Sequence, residues 1–131
     1  ERVVQLQPDD LAPKQDLART LESAREYEGA IKQYQEILTA MPEADMSRAL
    51  LAEVYMKQSQ ANEALRVLNE GIALNPSAAL LHRERGRVLD RQGMPGEAIT
   101  SYREYVRLSP GASDLRIFVD RIEQLSATAS P

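Results

Sequence analysis

The sequence predicts an all-α fold in which antiparallel helix pairs stack one on the next, and three observations support this prediction. Pro42, Pro76 and Pro110 follow one another at intervals of 34 residues. Within each interval the apolar residues recur every three or four positions, as on one face of a helix. The composition, with 43% hydrophobic and 27% charged residues among 131, suits one globular domain. A fixed period of this length is typical of a repeat protein.

Further positions keep the same 34-residue step. The small residues are Ala18, Ala52 and Gly86 in one column and Ala30, Ala64 and Ala98 in another. Aliphatic side chains occupy a third column, at Ile31, Leu65 and Ile99. Small residues let two helices approach closely, and the large residues around them fill the remaining space. Several columns in register over three copies therefore indicate a true internal repeat.

Each copy reads as a helix, a tight turn and a second helix. In the second copy, residues 50–55 and 64–72 carry the helical apolar pattern, separated by the polar run 58–62. The third copy places Gly93-Met94-Pro95-Gly96 at the same turn, where it would break a helix. The recurring proline follows the second helix, which it cannot continue. Because neither helix can bury its apolar face alone, consecutive pairs are expected to stack.

On these residues the chain resembles the tetratricopeptide-repeat (TPR) family, whose unit is a 34-residue helix–turn–helix. The matching motif residues of the first copy are Leu17, Ala18, Leu21, Ala30, Tyr34 and Pro42. Those of the second are Leu51, Ala52, Tyr55, Ala64, Leu68 and Pro76, and those of the third are Gly86, Leu89, Gly93, Ala98, Tyr102 and Pro110. The resemblance implies a right-handed α-solenoid, the TPR superhelix.

The repeat frame divides the chain into successive segments. They are a preceding repeat end or N-terminal extension (1–10), three repeats (11–44, 45–78 and 79–112), a capping helix (113–126) and a tail (127–131). Pro8 lies 34 residues before Pro42, so we expect the chain to begin inside the second helix of an earlier repeat. Arg85 departs from the pattern, because leucine stands at the equivalent Leu17 and Leu51, and it must pair or extend to solvent.

Composition and motifs exclude several functions. The net charge of −4 argues against nucleic-acid binding, and no apolar run is long enough to insert into a membrane. The chain has no cysteine and one histidine, His82, and it lacks the phosphate-binding, nucleophile and metal motifs of enzymes. We therefore expect a non-enzymatic protein with no cofactor and no metal. The composition leaves the location open between cytoplasm and bacterial periplasm, with the excess of arginine over lysine weakly favouring a bacterial chain.

The resemblance implies a function in protein–protein interaction. In TPR proteins the first helices of successive repeats line a concave groove in which partners bind. The positions predicted to bind a partner are Gln15, Arg19, Met46, Ala49, Glu53, Met56, Leu80, Arg83, Arg87 and Arg91. Asp90, Ile117 and Arg121 are also expected to face the groove. The first hypothesis is an adaptor or scaffold that binds a peptide or domain there. The alternative is the TPR region of a larger enzyme, or of a bacterial envelope assembly or export protein, whose active part lies outside this chain.

Arginine recurs on one face of the third repeat, at positions 83, 87 and 91. One interpretation is a stripe that binds an acidic partner, since arginine favours carboxylate. The other is a salt-bridge ladder, in which Arg87 pairs with Glu84 and Asp90 and stacks in a column with Arg19 and Glu53. We expect the ladder for Arg87 and partner contacts for the other two arginines.

Two further expectations concern partners. Some TPR proteins clasp the C-terminal carboxylate of chaperones with a set of Lys, Asn and Arg side chains. The matching positions here are Gln15, Arg19, Leu50, Leu80 and Glu84, of which one is basic, so that clamp is not expected. A second expected interaction is self-association. If the chain begins inside a helix hairpin, the incomplete repeat exposes apolar surface that a second copy could cover.

Overall fold

The structure, a computed structural model, describes residues 8–129 and the side chains of 11–128. Within that range the chain forms seven α-helices and no strand. The helices are α1 (Pro8–Ser23), α2 (Tyr27–Ala40), α3 (Asp45–Lys57), α4 (Ala61–Leu74), α5 (Ala79–Arg91), α6 (Pro95–Leu108) and α7 (Leu115–Ala129). Three helix pairs followed by a single helix confirm the predicted all-α fold.

Both ends of the described range differ from the expected boundaries. The first helix begins at Pro8 instead of Leu11, three residues earlier in the repeat frame than α3 and α5. Proline is tolerated there because the first turn of a helix has no partner for its backbone N–H. The last helix extends to Ala129, so residues 127–129 are helical and the predicted tail was wrong for them. The preceding repeat end was expected at residues 1–10, of which 8–10 instead form the first residues of α1. Residues 1–7 lie outside the described residues.

The turn between the two helices of each pair has the same geometry in all three copies. Arg25, Ser59 and Gly93, which are 34 residues apart, all adopt the left-handed conformation, with φ of 62°, 59° and 72°. The following N–H bonds the carbonyl five residues earlier in each copy, as from Gln60 to Tyr55 (2.8 Å). This is the Schellman ending of an α-helix. Only the third copy supplies the glycine that this conformation favours.

The chain divides into two compact units, Glu1–Val67 and Leu68–Pro131, with the division inside α4. In the N-terminal unit α2 packs against both α1 and α3. Its core contains the small residues of the repeat columns, Ala18 and Ala30, and the fully buried Tyr34. Arg48 is also buried, and its guanidinium donates to the carbonyls of Pro42 (2.8 Å) and Val67 (3.0 Å). These bonds tie the start of α3 to the preceding turn and to α4.

In the C-terminal unit α6 packs against both α5 and α7. Gly86 meets the ring of Tyr102, and a Cβ at this position would lie 2.5 Å from two ring carbons. Gly86 therefore allows the Tyr102 ring of α6 to approach α5 closely, in agreement with the role predicted for its small-residue column. Arg85 pairs, as expected, donating to Asn69 Oδ1 (2.8 Å) and to Ser101 Oγ (2.7 Å).

Candidate functional site

The ten residues predicted to bind a partner lie on the first helix of each pair, and their exposure differs. On α3, Met46 is 54% exposed, whereas Ala49 is 7% exposed and offers little contact area. Arg19 and Glu53 are exposed, and Gln15, Met56 and Leu80 are half-buried. Of the three arginines on α5, two are exposed, whereas Arg83 is half-buried. The accessible subset is therefore smaller than the repeat frame implies.

A charged cluster joins α1 and α3 in the N-terminal unit. The Lys57 ammonium lies 2.5 Å from a carboxylate oxygen of Glu22 and 3.9 Å from one of Glu53. The Tyr34 hydroxyl is buried beside them, and this burial, together with the charge of Glu22, raises the pKa of Tyr34 to about 12. No ion pair joins Arg19 to Glu53 within the described residues, so that step of the expected ladder is absent.

A corresponding cluster joins α5 and α7 in the C-terminal unit. Arg121 donates two hydrogen bonds to the carboxylate of Asp90, from Nε to Oδ2 (2.8 Å) and from Nη2 to Oδ1 (2.7 Å). The Tyr102 hydroxyl donates to the same carboxylate (3.1 Å). The bonds from Arg121 and Tyr102 lower the pKa of Asp90, while burial and this carboxylate raise the pKa of Tyr102. Asp90 was expected to pair with Arg87, and that expectation was wrong.

Arg83 also has partners within the chain. Its guanidinium lies 3.0 Å from Asp114, the residue before α7, and 3.1 Å from Glu84. Asp114 accepts a further hydrogen bond from Tyr105, which with the Arg83 charge lowers the pKa of Asp114. The charge of Arg83 is thus balanced internally, contrary to its expected availability to a partner. Together with the Arg121 pair, this contact fastens α7 to α5 at two points.

Arg87 lies over an aromatic cluster. The rings of Tyr102 and Tyr105 pack against Phe118, with centroids 5.1 Å and 5.3 Å apart. The Arg87 guanidinium carbon is 5.4 Å from the centroid of Phe118, within cation–π range. Arg87 also pairs with Glu84 (3.1 Å), as the ladder interpretation predicted, and its side chain is 50% exposed.

Two adjoining depressions lie over this cluster. The first, of about 470 Å³, has Ile117, Phe118 and Gln124 of α7 among its lining residues. The second, of about 480 Å³, includes Arg91 near the end of α5. Both are lined by Arg87, Asp90, Tyr102 and Arg121. We name this region the α5–α7 surface and define it by Arg87, Asp90, Arg91, Tyr102, Ile117, Phe118, Arg121 and Gln124.

Other kinds of site are not seen in the described part of the chain. Among those residues no three His, Cys, Asp or Glu side chains are grouped so that they could hold a metal ion. None of the helices from α1 to α7 combines the length and apolar character needed to cross a membrane.

Comparison with known protein families identifies the repeat. The family model described as tetratricopeptide repeat matches residues 49–113. The seven described helices fit three such repeats and a capping helix. The chain is a tetratricopeptide-repeat protein. No curated protein sequence matches it.

Solved structures show the same TPR fold over almost the whole chain. The first TPR of Spaghetti (RPAP3), bound to the HSP90 peptide SRMEEVD, has a TM-score of 0.78 at 19% identity and covers 98% of this chain and 100% of its own. The Yersinia enterocolitica type III secretion chaperone SycD, with a peptide of the translocator YopD, has a TM-score of 0.82 at 14% identity, covering 97% and 100%. The second TPR domain of human RPAP3, with the HSP70 peptide SGPTIEEVD, has a TM-score of 0.70 at 22% identity, covering 86% and 92%.

The sequence predicted only part of the contacts that the capping helix α7 makes in this TPR protein. Ile117 and Arg121 were predicted to face the groove, but the aromatic cluster and both contacts of α7 with α5 were not predicted. The repeat frame contained the signal, because Asp114 and Arg121 occupy the positions that Leu80 and Arg87 hold one repeat earlier. Extending the 34-residue register into α7 would have placed these side chains opposite α5.

Proposed function

We propose that this TPR protein is a non-enzymatic interaction module, and that a partner polypeptide binds on the faces of its first helices, above all on the α5–α7 surface. The observation that carries this proposal is the exposure of Arg87, Arg91 and Ile117 over a packed base. Ile117 is 66% exposed, although the neighbouring Phe118 is 3% exposed. Ile117 lines a depression of about 470 Å³ together with Arg87, Asp90 and Arg121, and an apolar centre with a polar rim is the usual composition of a protein interface.

The solved structures with this fold support the same proposal. Their descriptions name bound peptides of HSP90, HSP70 and the translocator YopD. Three TPR structures thus accept short polypeptide segments on a scaffold of the same fold. On the N-terminal unit, the equivalent face of α1 and α3 carries the exposed Met46, Arg19 and Glu53, and we propose that it contributes contacts of its own.

Site-specific photo-crosslinking tests the proposal. A photoreactive amino acid replaces Gln124, which lines the α5–α7 surface, and in a matched protein replaces Arg103, which is exposed on α6 and lines neither depression. Both proteins are expressed in the source cells and irradiated, and their adducts are identified by mass spectrometry. We expect a defined partner protein to be crosslinked from position 124 and not from position 103. Equal adducts from both positions, or none from either, would refute the proposal.

A further inference from the structure

We infer, resting on the proposed function, that the α5–α7 surface takes a partner segment in which a large apolar side chain lies next to an acidic one. The inference follows from how this chain distributes its own charges. Arg87 and Arg121 are paired with internal carboxylates, whereas Arg91 makes no ion pair among the described residues. The charge of Arg91 and the exposed apolar area together define the chemistry of the segment that fits.

The apolar half of the segment is indicated by the first depression. Ile117 stands exposed on α7, while the rings of Tyr102 and Phe118 are 2% and 3% exposed and form its base. A large apolar side chain placed here would cover Ile117 and remove its exposed apolar area from water. Each such burial stabilises a complex in proportion to the apolar area removed from water.

The acidic half of the segment is indicated by a difference among the arginines, because only some of them are paired with carboxylates of this chain. Asp90 is neutralised by Arg121 through two hydrogen bonds, so it does not repel an incoming carboxylate. Asp120, which also lines the first depression, lies 3.2 Å from Arg116. Arg91 makes no ion pair among the described residues, and Arg87 shares Glu84 with Arg83. The surface therefore carries uncompensated positive charge near the end of α5.

The positions of these groups require the apolar and the acidic residue to lie close together in the partner. The apolar depression includes Ile117 but not Arg91, and the neighbouring one includes Arg91 but not Ile117. Because Arg87 lines both, the two sites adjoin on one surface. An apolar residue and a carboxylate close together in sequence could occupy both, whereas a basic segment would meet Arg87 and Arg91 unfavourably.

The experiment uses short fluorescein-labelled peptides as probes, with binding followed by fluorescence anisotropy. One set places glutamates beside a leucine or phenylalanine, a second replaces the apolar residue with serine, and a third replaces the glutamates with lysines. We expect the first set to bind the most tightly, and its affinity to fall as the salt concentration rises.

Two variants of the protein locate the binding, each with a matched control. Arg91→Glu is compared with Arg103→Glu, the same charge reversal on α6 away from the surface. Ile117→Glu is compared with Leu74→Glu, at an apolar residue on α4 that is 63% exposed and lines neither depression. We expect the first of each pair to weaken the acidic–apolar peptide, about fivefold for Arg91→Glu and about tenfold for Ile117→Glu. The controls should leave the affinity unchanged.

The outcomes separate this inference from the proposed function. If lysine peptides bind as tightly as glutamate peptides, and Ile117→Glu weakens both, the acidic class is overturned while the interaction function stands. If the acidic–apolar peptides bind and the variants and controls behave alike, the site is overturned. If crosslinking from position 124 captures a partner but no probe peptide binds, the inference is again overturned. If crosslinking also fails, the proposed function falls with it.

Discussion

Arg121 of α7 and Asp90 of α5 form a bidentate ion pair, with the two nitrogen–oxygen distances at 2.7 Å and 2.8 Å. The Asp90 side chain is 16% exposed and the Arg121 side chain 42% exposed. Planar, two-point contacts of this kind are the strongest ion pairs that proteins make, although partial exposure weakens them. The pair therefore contributes to holding the capping helix on the third repeat.

A double-mutant cycle measures the coupling of this pair. We expect Asp90→Ala and Arg121→Ala to show a coupling free energy of about 1–2 kcal/mol in urea unfolding. The control cycle uses Arg116 and Asp120, an exposed pair within α7, for which about 0–0.5 kcal/mol is expected. Equal couplings in the two cycles would mean that the contact between helices adds nothing beyond a surface ion pair.

The lowered pKa of Asp90 predicts how stability depends on pH. Because the pKa is lower in the folded state than in the unfolded state, the stabilisation is present at neutral pH and is lost as the pH falls through the folded-state value. The melting temperature of Asp90→Asn should therefore lie below that of the unaltered protein at pH 7. The difference between the two melting temperatures should become smaller below about pH 4. A gap that stays constant down to acidic pH would contradict this linkage.

Gly86 and Gly96 offer a matched test of the small-residue column. A Cβ at Gly86 would lie 2.5 Å from the Tyr102 ring, which is itself held by Asp90 and Phe118, whereas a Cβ at Gly96 would meet nothing within 4 Å. We expect Gly86→Ala to lower the free energy of unfolding by about 1–3 kcal/mol. Gly96→Ala should leave it unchanged or raise it by about 0.5 kcal/mol. Similar urea midpoints for the two variants would show that the ring moves aside freely.

The fold was largely predictable because the 34-residue register carries it. Pro42, Pro76 and Pro110 located the turns between pairs, and the helical apolar spacing located the helices between them. The start of α1 and the end of α7 were misplaced, because the register has no neighbouring copy to define them there. Terminal helices of a repeat array are set by their own residues more than by the repeat.

The candidate site was less predictable, because the choice among ion-pair partners depends on contacts between helices. Sequence spacing correctly paired Arg87 with Glu84, three residues away on the same helix. It did not show that Asp90 pairs with Arg121, which lies 31 residues further along the chain. Nor did it show that Arg83 is neutralised by Asp114. Charge patterns on one helix thus suggest possible ion pairs. The packing of other helices against it decides which charged side chains remain unpaired.

The turns within the helix pairs predict opposite changes in stability for substitutions at two equivalent positions. Ser59 and Gly93 both have positive φ, of 59° and 72°, which a side chain disfavours. We expect Ser59→Gly to raise the free energy of unfolding by about 0.5–1 kcal/mol, and Gly93→Ala to lower it by about 1 kcal/mol. Chemical denaturation of both variants supplies the comparison. A loss of stability in Ser59→Gly would show that flexibility gained by the unfolded chain outweighs the relieved strain.

Arg83 and Arg91 separate the structural arginines from those available to a partner. Replacing Arg83 with glutamate sets a third carboxylate against Glu84 and Asp114 in a half-buried position. We expect Arg83→Glu to lower the free energy of unfolding by about 1–3 kcal/mol, with α7 loosened first. Arg91→Glu removes no ion pair among the described residues, and its stability should stay within about 0.5 kcal/mol of the unaltered protein.

Hydrogen exchange of α7, measured beside thermal unfolding, resolves the two cases. Faster exchange throughout α7 in Arg83→Glu, with an unchanged pattern in Arg91→Glu, is the expected result. If the two variants are equally stable and exchange alike, then the contact between Arg83 and Asp114 does not hold the capping helix. The three arginines of α5 would in that case form one equivalent stripe, and the assignment of Arg91 as the free charge would lose its basis.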